Sequence, residues 1–270
     1  MKQIELNNGV QMPQIGLGVW QAKDGQEVAN AIHWALDSGY RHIDTARIYK
    51  NEEGVGQAIR TATLDRDQIF LTTKIWNMDI RTERTTKALH ESLARLQTDY
   101  VDLMLLHWPV DNFEQAWLAL EEAYNEGKTK AIGLSNFMPE QIERIVEIGS
   151  VVPAVNQIEY HPYLTQQDVA QTCEKYDIAI TAWSPLMQGN FKTEGLFENI
   201  AAIHGKTAAQ VVLRWGIQRG VIIIPKSTNQ GRIQENFDLF DFELSTEEME
   251  QINALERGQR FGPDPRNFDF

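Results

Sequence analysis

Four residues carry side chains that together could transfer a proton and orient a polarised oxygen: Asp44, Tyr49, Lys74 and His107. A tyrosine hydroxyl ordinarily has a pKa of about 10, which an adjacent ammonium such as that of Lys74 would lower. Asp44 would keep this ammonium charged and in place, while His107 would donate a hydrogen bond to a substrate oxygen. Such a set is suited to the reduction of a carbonyl group.

Each of these residues also has an ordinary structural explanation. Asp44 could cap a loop, Tyr49 could pack on the surface, Lys74 could extend along a strand end, and His107 could be a hydrogen-bonded core histidine. Their positions favour the chemical interpretation, because they lie at the ends of three consecutive apolar runs and in the loop after the first of these runs.

Short apolar runs alternate with longer helix-like stretches along the whole chain. The runs predict eight buried parallel strands at residues 15–19, 40–44, 69–74, 101–107, 131–135, 154–159, 178–183 and 221–225. Before them, residues 4–12 predict a β-hairpin that turns at residues 7–9. The predicted fold is an α/β protein, a (β/α)8 TIM barrel with an N-terminal β-hairpin, and residues 1–270 are expected to form one domain because no linker-like segment interrupts the series.

Three of the intervening segments have recognisable helix boundaries. Residues 26–38 carry an apolar face and end at Gly39, residues 82–96 end on a leucine-rich face, and residues 139–148 begin with a proline and end at Gly149. A barrel of this kind places its chemistry at the carboxyl ends of its strands, where this sequence is rich in polar residues.

A basic segment follows the last predicted strand. Lys226, Ser227, Thr228 and Arg232 lie where this strand meets the start of a helix, an arrangement suited to binding phosphate. Such a site could hold the 2′-phosphate of NADPH, which is therefore favoured over NADH, although an ordinary basic helix start is the alternative. A Rossmann nucleotide site is disfavoured because the glycines at residues 16 and 18 lack the third glycine of G-x-G-x-x-G.

The sequence resembles the aldo-keto reductase family. Residues 39–49 read GYRHIDTARIY and residues 51–56 read NEEGVG, which is similar to the first signature of that family. Further family motifs follow in order: TK at 73–74 with WN at 76–77, LHWP at 106–109, GLSNF at 133–137, QIEYHP at 157–162 and SPL at 184–186. The overall pattern is similar to the bacterial 2,5-diketo-D-gluconate reductase branch.

This resemblance implies roles for particular residues. Asp44, Tyr49, Lys74 and His107 would form a catalytic tetrad with Tyr49 as the proton donor. Trp183 would stack on the nicotinamide ring, at a position where the family commonly has tyrosine. The remaining cofactor contacts would come from Ser135, Asn136, Gln157, Ser184 and Leu186, with Glu235 and Asn236 near the adenine.

The substrate site is indicated by aromatic residues near the strand ends. Trp20, Trp76 and Trp108 could form the walls of an apolar pocket around Tyr49 and His107, although tryptophans at strand ends could equally pack the barrel against its loops. The short segments at residues 109–113 and after residue 236 predict an open pocket, and thus broad activity on aldehydes, methylglyoxal, keto acids and keto sugars.

Two basic residues flank Tyr49 in the sequence. Arg47 and Lys50 are expected to place positive charge beside the mouth of the pocket and to favour substrates that carry carboxylates or several hydroxyls.

Composition narrows the class of partner. A net charge of −13 and a pI near 4.9 argue against binding to nucleic acid or to an anionic membrane.

The single cysteine, Cys173, and the lack of an apolar leader at the N-terminus favour the cytoplasm. No H-E-x-x-H pair or Cys/His cluster indicates a metal site, and a monomer is the default expectation.

Two other functions remain open from the sequence. Related barrels serve as nucleotide-sensing subunits of channels, in which binding of the nicotinamide nucleotide matters more than turnover. A Schiff-base aldolase that uses Lys74 is the other alternative, but this chemistry needs a desolvated neutral lysine rather than one beside Asp44.

Overall fold

The computed structural model describes residues 2–190, 195–268 and 270. The chain begins with a hairpin of two antiparallel strands, β1 (Gln3–Glu5) and β2 (Gln11–Pro13), in which Ile4 lies opposite Met12. Gly9 in the turn has a φ of 83°, a left-handed conformation that glycine adopts without strain. The predicted hairpin is therefore confirmed.

Eight parallel strands follow, each paired with the next in chain order. They are β3 (Leu17–Gly18), β4 (His42–Asp44), β5 (Phe70–Ile75), β6 (Leu103–Leu106), β7 (Ile132–Ser135), β8 (Val155–Glu159), β9 (Ala179–Trp183) and β10 (Ile222–Ile223). All eight lie within the predicted segments except for the last residue of β5.

The first and last strands of this sheet close it into a barrel. Ile15 and Ile223 form a parallel bridge, as do Gly18 and Lys226, so the hydrogen bonding continues beyond the short ends of β3 and β10. A Cβ atom at Gly18 would lie 2.9 Å from the carbonyl oxygen of Ile224, so these two segments of backbone approach each other at a distance that only glycine permits. The predicted (β/α)8 barrel is confirmed.

Helices connect the strands and cover the outside of the barrel. They are α1 (Gln26–Asp37), α2 (Glu52–Arg60), α3 (Asn77–Arg81), α4 (Thr85–Leu96), α5 (Phe113–Asn125), α6 (Pro139–Ile148), α7 (Gln167–Lys175), α8 (Leu196–His204), α9 (Ala208–Gln218), α10 (Gln230–Phe237) and α11 (Thr246–Asn253).

The predicted helix at residues 139–148 is confirmed as α6, and the helix predicted at residues 26–38 ends one residue earlier, as α1. The start predicted at residue 82 is wrong. Thr82 is the C-cap of α3, and Glu83 adopts a left-handed φ of 54°, which separates α3 from α4.

Apolar side chains close the barrel at the end where its strands begin. Leu6 and Met12 of the hairpin region belong to a buried cluster with the strand residues Phe70, Leu103, Leu105, Val155 and Ile222. The open end of the barrel is therefore the one at which the carboxyl ends of the strands lie.

The single domain expected for residues 1–270 stays a prediction. Among the described residues, no helix is both long and apolar enough to cross a membrane.

Candidate active site

Lys74 lies at the centre of the candidate site. Its ammonium donates hydrogen bonds to Asp44 Oδ1 at 2.6 Å, to the carbonyl oxygen of Thr45 at 2.9 Å and to Tyr49 Oη at 3.4 Å. The Lys74 side chain is fully buried, so these three oxygens replace the water that an exposed ammonium would bind. The structure thus brings together three of the four residues in the predicted tetrad.

The backbone explains how these residues meet. Asp44 is the last residue of β4, and Lys74 is the penultimate residue of β5. Tyr49 ends a short 3-10 turn, Arg47–Tyr49, between β4 and α2. His107 directly follows β6, and its ring lies edge-on to that of Tyr49 with centroids 5.8 Å apart. All four side chains therefore gather at the carboxyl ends of adjacent strands.

Burial and charge act in opposite directions on the tyrosine and the lysine. Burial raises the pKa of Tyr49 above its ordinary value, although the Lys74 charge opposes this rise. Burial alone would lower the pKa of Lys74, but the charge of Asp44, together with the hydrogen bonds to Asp44 and Tyr49, outweighs burial and raises that pKa. The expected lowering of the Tyr49 pKa by Lys74 is therefore present as one contribution, while the net direction is upward.

His107 is electrically neutral at neutral pH. Burial first, and the Lys74 charge second, lower the pKa of His107 well below its ordinary value. Its Nδ1 atom is buried and has no hydrogen-bond partner among the described residues. A neutral imidazole carries one N–H, so this ring is able to donate one hydrogen bond to an oxygen in the site.

A second layer of amide groups adjoins the tetrad. Gln157 Nε2 donates to Asp44 Oδ2 at 2.7 Å, and Ser135 Oγ donates to the carbonyl oxygen of Gln157 at 3.1 Å. Asn136 Nδ2 donates to the carbonyl oxygen of His107 at 3.1 Å, and Asn136 Oδ1 accepts from Trp183 Nε1 at 2.8 Å. The side chains predicted to contact nicotinamide are thus adjacent to one another and to the tetrad.

These residues surround a cavity of about 620 Å³. Most of the predicted site residues line it: Trp20, Asp44, Tyr49, Trp76, His107, Trp108, Ser135, Asn136, Gln157, Trp183, Ser184, Leu186 and Lys226. Its volume is in the range that holds a small-molecule ligand. Trp20 is 48% exposed, Trp76 is half-buried and Trp108 is 6% exposed, so the three tryptophans differ in their exposure to solvent.

One wall of this cavity, formed by residues 261–263 and Phe270, was not predicted from the sequence. The backbone N–H groups of Phe261 and Gly262 donate to Glu159 Oε1 at 2.7 and 3.2 Å, which fastens this segment to the end of β8. Three phenylalanines at residues 261, 268 and 270, outside any helical or strand pattern, were the available signal.

Phe270 lines the cavity beside Trp76 and Trp108. Its ring is parallel to that of Trp76 within 3°, with centroids 6.0 Å apart, and lies edge-on to Trp108 at 5.1 Å. Its carbonyl oxygen accepts hydrogen bonds from Asn77 Nδ2 and from the Arg81 guanidinium, both at 3.1 Å.

Of the predicted phosphate residues, Lys226 lines the cavity, whereas Ser227, Thr228 and Arg232 do not line it and lie around the start of α10. Asn229 caps this helix by accepting the N–H of Arg232. Lys226 and Arg232 are exposed, and within the described residues neither side chain forms an ion pair. Of the other four residues, Ser227 and Asn236 are buried, Thr228 is half-buried, and Glu235 accepts a hydrogen bond from Thr207 Oγ1 at 2.7 Å.

Arg47 does not act as the free charge that the sequence led us to expect. Its guanidinium forms ion pairs with Asp79 at 2.9 Å and with Glu91 at 3.2 Å. These partners lie on α3 and α4, which the sequence could not place beside the Tyr49 loop. Lys50 is exposed and has a left-handed φ of 55°, and its side chain forms no ion pair with the described residues.

A sequence model of the Aldo/keto reductase family matches residues 14–257. A 9,11-endoperoxide prostaglandin H2 reductase of Trypanosoma cruzi is 49% identical and aligns with 98% of this chain and 95% of its own length. A glyoxal reductase of Bacillus subtilis is 48% identical over 97% of this chain and 95% of its own length.

A solved structure of the same family is also similar to this chain. The crystal structure of an aldo/keto reductase from Brucella melitensis superimposes with a TM-score of 0.91 at 46% identity, covering 94% of this chain and 99% of that one. None of these three proteins is named as a 2,5-diketo-D-gluconate reductase, so that finer assignment stays a prediction. The chain belongs to the aldo/keto reductase family of oxidoreductases, which act on carbonyl groups.

Proposed function

We propose that this protein reduces small aldehydes and ketones to alcohols with NADPH, and that Tyr49 supplies the proton. The observation that carries the proposal is the position of the Lys74 ammonium, 2.6 Å from Asp44 Oδ1 and 3.4 Å from Tyr49 Oη, beside a cavity that Tyr49 lines. A carbonyl oxygen in this cavity would meet a proton donor that is already coupled to a fixed positive charge.

The proposed proton transfer follows from the charges of the tetrad. Since burial raises the pKa of Tyr49, its hydroxyl is protonated at neutral pH, as a proton donor must be. When Tyr49 gives its proton to the substrate oxygen, the adjacent Lys74 ammonium stabilises the phenolate that remains. Asp44 keeps Lys74 charged, and the N–H of neutral His107 orients the substrate oxygen.

The residues present fit a nicotinamide cofactor. Ser135, Asn136 and Gln157 offer amide and hydroxyl groups for a carboxamide, and the Trp183 indole offers a flat surface at the same edge of the cavity. Ser184 and Leu186 extend this wall, while the exposed charges of Lys226 and Arg232, which have no ion-pair partner in the described ranges, are available to a phosphate. Bound NADPH would supply the hydride for the carbonyl carbon.

A broad set of small substrates is part of the proposal. The two relatives described above are named for different substrates, glyoxal in one and a prostaglandin endoperoxide in the other. The cavity of this chain is bounded by Trp20, Trp76 and Trp108, which provide apolar contact area and few polar groups that would select one substrate.

The test is to mix the purified protein with NADPH and glyoxal or methylglyoxal and to follow the loss of the nicotinamide absorbance. Tyr49→Phe should lower kcat by about 10²- to 10⁴-fold, because the proton donor is lost. Tyr176→Phe is the matched control, since Tyr176 is the C-cap of α7 and does not line the cavity. Tight NADPH binding without turnover of any carbonyl would instead favour the nucleotide-sensing alternative.

The aldolase alternative makes a different prediction. A Schiff base requires an uncharged amine, and the raised pKa of Lys74 keeps its ammonium protonated. Borohydride should therefore fail to trap a substrate on Lys74, and a covalent adduct there would support the aldolase.

A cytoplasmic location and a monomeric state belong to the same proposal. Cys173 is buried, and this burial raises its pKa to about 12, so the thiol is poorly suited to forming a disulfide with another chain. Light scattering of the purified protein would test the monomer, and cell fractionation would test the location.

A further inference from the structure

Glu52 is a buried carboxylate for which the proposed reaction gives no role. Its side chain is 1% exposed, and it is the first residue of α2, shortly after Tyr49. Its Oε1 atom accepts a hydrogen bond from Thr73 Oγ1 at 2.6 Å, and its Oε2 atom accepts one from Arg95 Nε at 2.8 Å. Because a buried carboxylate is costly without such partners, these directional bonds account for its position.

Thr73 is the neighbour of Lys74 on β5. Successive side chains of a strand point to opposite faces, so Lys74 enters the barrel while Thr73 faces the surrounding helices. Glu52 therefore reaches this strand from outside the barrel, at the residue next to the ammonium that contacts Tyr49.

Asn51 makes the corresponding connection to β4. Its Oδ1 atom accepts a hydrogen bond from Thr45 Oγ1 at 2.8 Å, and its Nδ2 atom donates to the carbonyl oxygen of Val19 at 2.9 Å. Since Thr45 follows Asp44, the segment that carries Tyr49 is bound to β4 through Asn51 and to β5 through Glu52.

The rest of α2 is held by a different contact. A Cβ atom at Gly56 would overlap the backbone of Leu96, so the middle of α2 packs closely against the end of α4. The first turn of the helix is the part nearest to Tyr49 in the sequence, and Glu52 in that turn accepts a hydrogen bond from Thr73 of β5.

We propose that Glu52 is a positioning residue, which through Thr73 fixes the hydroxyl of Tyr49 relative to the ammonium of Lys74. This inference rests on the proposed role of Tyr49 as the proton donor. The influence of a charge falls with distance, so a shift of the Tyr49 segment would weaken the effect of Lys74 on the hydroxyl. The same shift would displace the hydroxyl from the substrate oxygen.

The first test removes one hydroxyl from the connection. Thr73→Val keeps the branched shape but cannot donate to Glu52, and it should lower kcat with glyoxal by about tenfold or more. The alkaline limb of the pH profile of kcat should also move to higher pH, because Tyr49 loses part of the charge that favours its ionised form. Thr73→Ser restores a hydroxyl and should return both quantities towards those of the wild type.

The second test changes the carboxylate itself. Glu52→Gln removes the charge that pairs with Arg95 and should change kcat and the pH profile in the same direction as Thr73→Val. Glu53→Gln is the matched control, because Glu53 is the exposed neighbour of Glu52 on α2 and undergoes the same chemical change. This control should retain the kcat and pH profile of the wild type.

Two further measurements separate positioning from stability. Crystal structures of the wild type and of Thr73→Val should show a longer distance between Tyr49 Oη and Lys74 Nζ in the variant. Thermal unfolding identifies variants that merely lose stability. If Thr73→Val and Glu52→Gln unfold earlier but keep the kcat, pH profile and Tyr49–Lys74 distance of the wild type, the positioning role is wrong. A wild-type protein without reductase activity would instead contradict the proposed function.

Discussion

The carboxylate of Asp44 accepts a hydrogen bond from Gln157 Nε2 at 2.7 Å, through the oxygen that Lys74 does not use. One carboxylate thus connects the ammonium on β5 with an amide on β8. Because Gln157 also lines the cavity, the residue predicted to contact nicotinamide helps to orient the acid that holds Lys74.

Removal of this amide should therefore impair catalysis. Gln157→Met keeps the length of the side chain but not its donor, and it should lower kcat/KM with glyoxal by about tenfold or more, as expected for a lost hydrogen bond to a charged group. Gln171→Met, on the exposed face of α7, serves as the control. Equal kcat/KM values for the two variants would contradict the link between Gln157 and the tetrad.

Acid should destabilise the fold through His42. This residue is fully buried, and its burial, followed by the charge of Lys74, lowers its pKa to about 3. In the unfolded chain His42 binds a proton near pH 6.5, whereas in the folded protein it stays neutral at that pH. The free energy of unfolding therefore falls as the pH drops below about 6.5. The slope for one such group is about 1.4 kcal/mol per pH unit, and His107 adds a contribution of the same sign.

Urea unfolding between pH 7.5 and about 5 would measure this slope, since that range covers the ordinary pKa of histidine. His42→Asn removes the titrating ring and should flatten the dependence, even if the variant is less stable at every pH. An equally steep dependence in His42→Asn would exclude His42 as its source.

The Phe270 ring should restrict the size of the substrate, because it lines the cavity beside Trp76. Phe270→Ala removes the ring that lies over Trp76 and should raise kcat/KM for bulky aromatic ketones while changing that for glyoxal little. Phe240→Ala is a matched control, because both phenylalanines are 39% exposed but Phe240 does not line the cavity. Parallel changes for large and small substrates would argue against a size limit set by Phe270.

The parts of this protein that sequence could predict are those governed by local pattern. Buried parallel strands read as short apolar runs, and the ends of such strands in a barrel share one face, so the order of residues was enough to group Asp44, Lys74 and His107. The N-terminal proline of α6 likewise marked its start correctly.

The misjudged features depend on contacts between distant segments. The pairing of Arg47 with Asp79 and Glu91 joins three separate elements, and the stacking of Phe270 on Trp76 joins residues far apart in the chain. The net rise in the pKa of Tyr49 depends on how deeply the hydroxyl is buried, which the order of residues does not reveal.

The preference for NADPH should depend on Lys226 and Arg232. Both are exposed near the start of α10 and are free of ion pairs within the described part of the chain, so their charges remain available to a phosphate despite the net charge of −13. Lys226→Ala and Arg232→Ala should each raise the KM for NADPH by about tenfold, the size expected when a charge-assisted hydrogen bond is lost. The KM for NADH, which lacks the 2′-phosphate, should change much less. Lys87→Ala, at an exposed lysine on α4, controls for the loss of one positive charge elsewhere. Equal changes in the KM for both cofactors would show that these residues do not bind the 2′-phosphate.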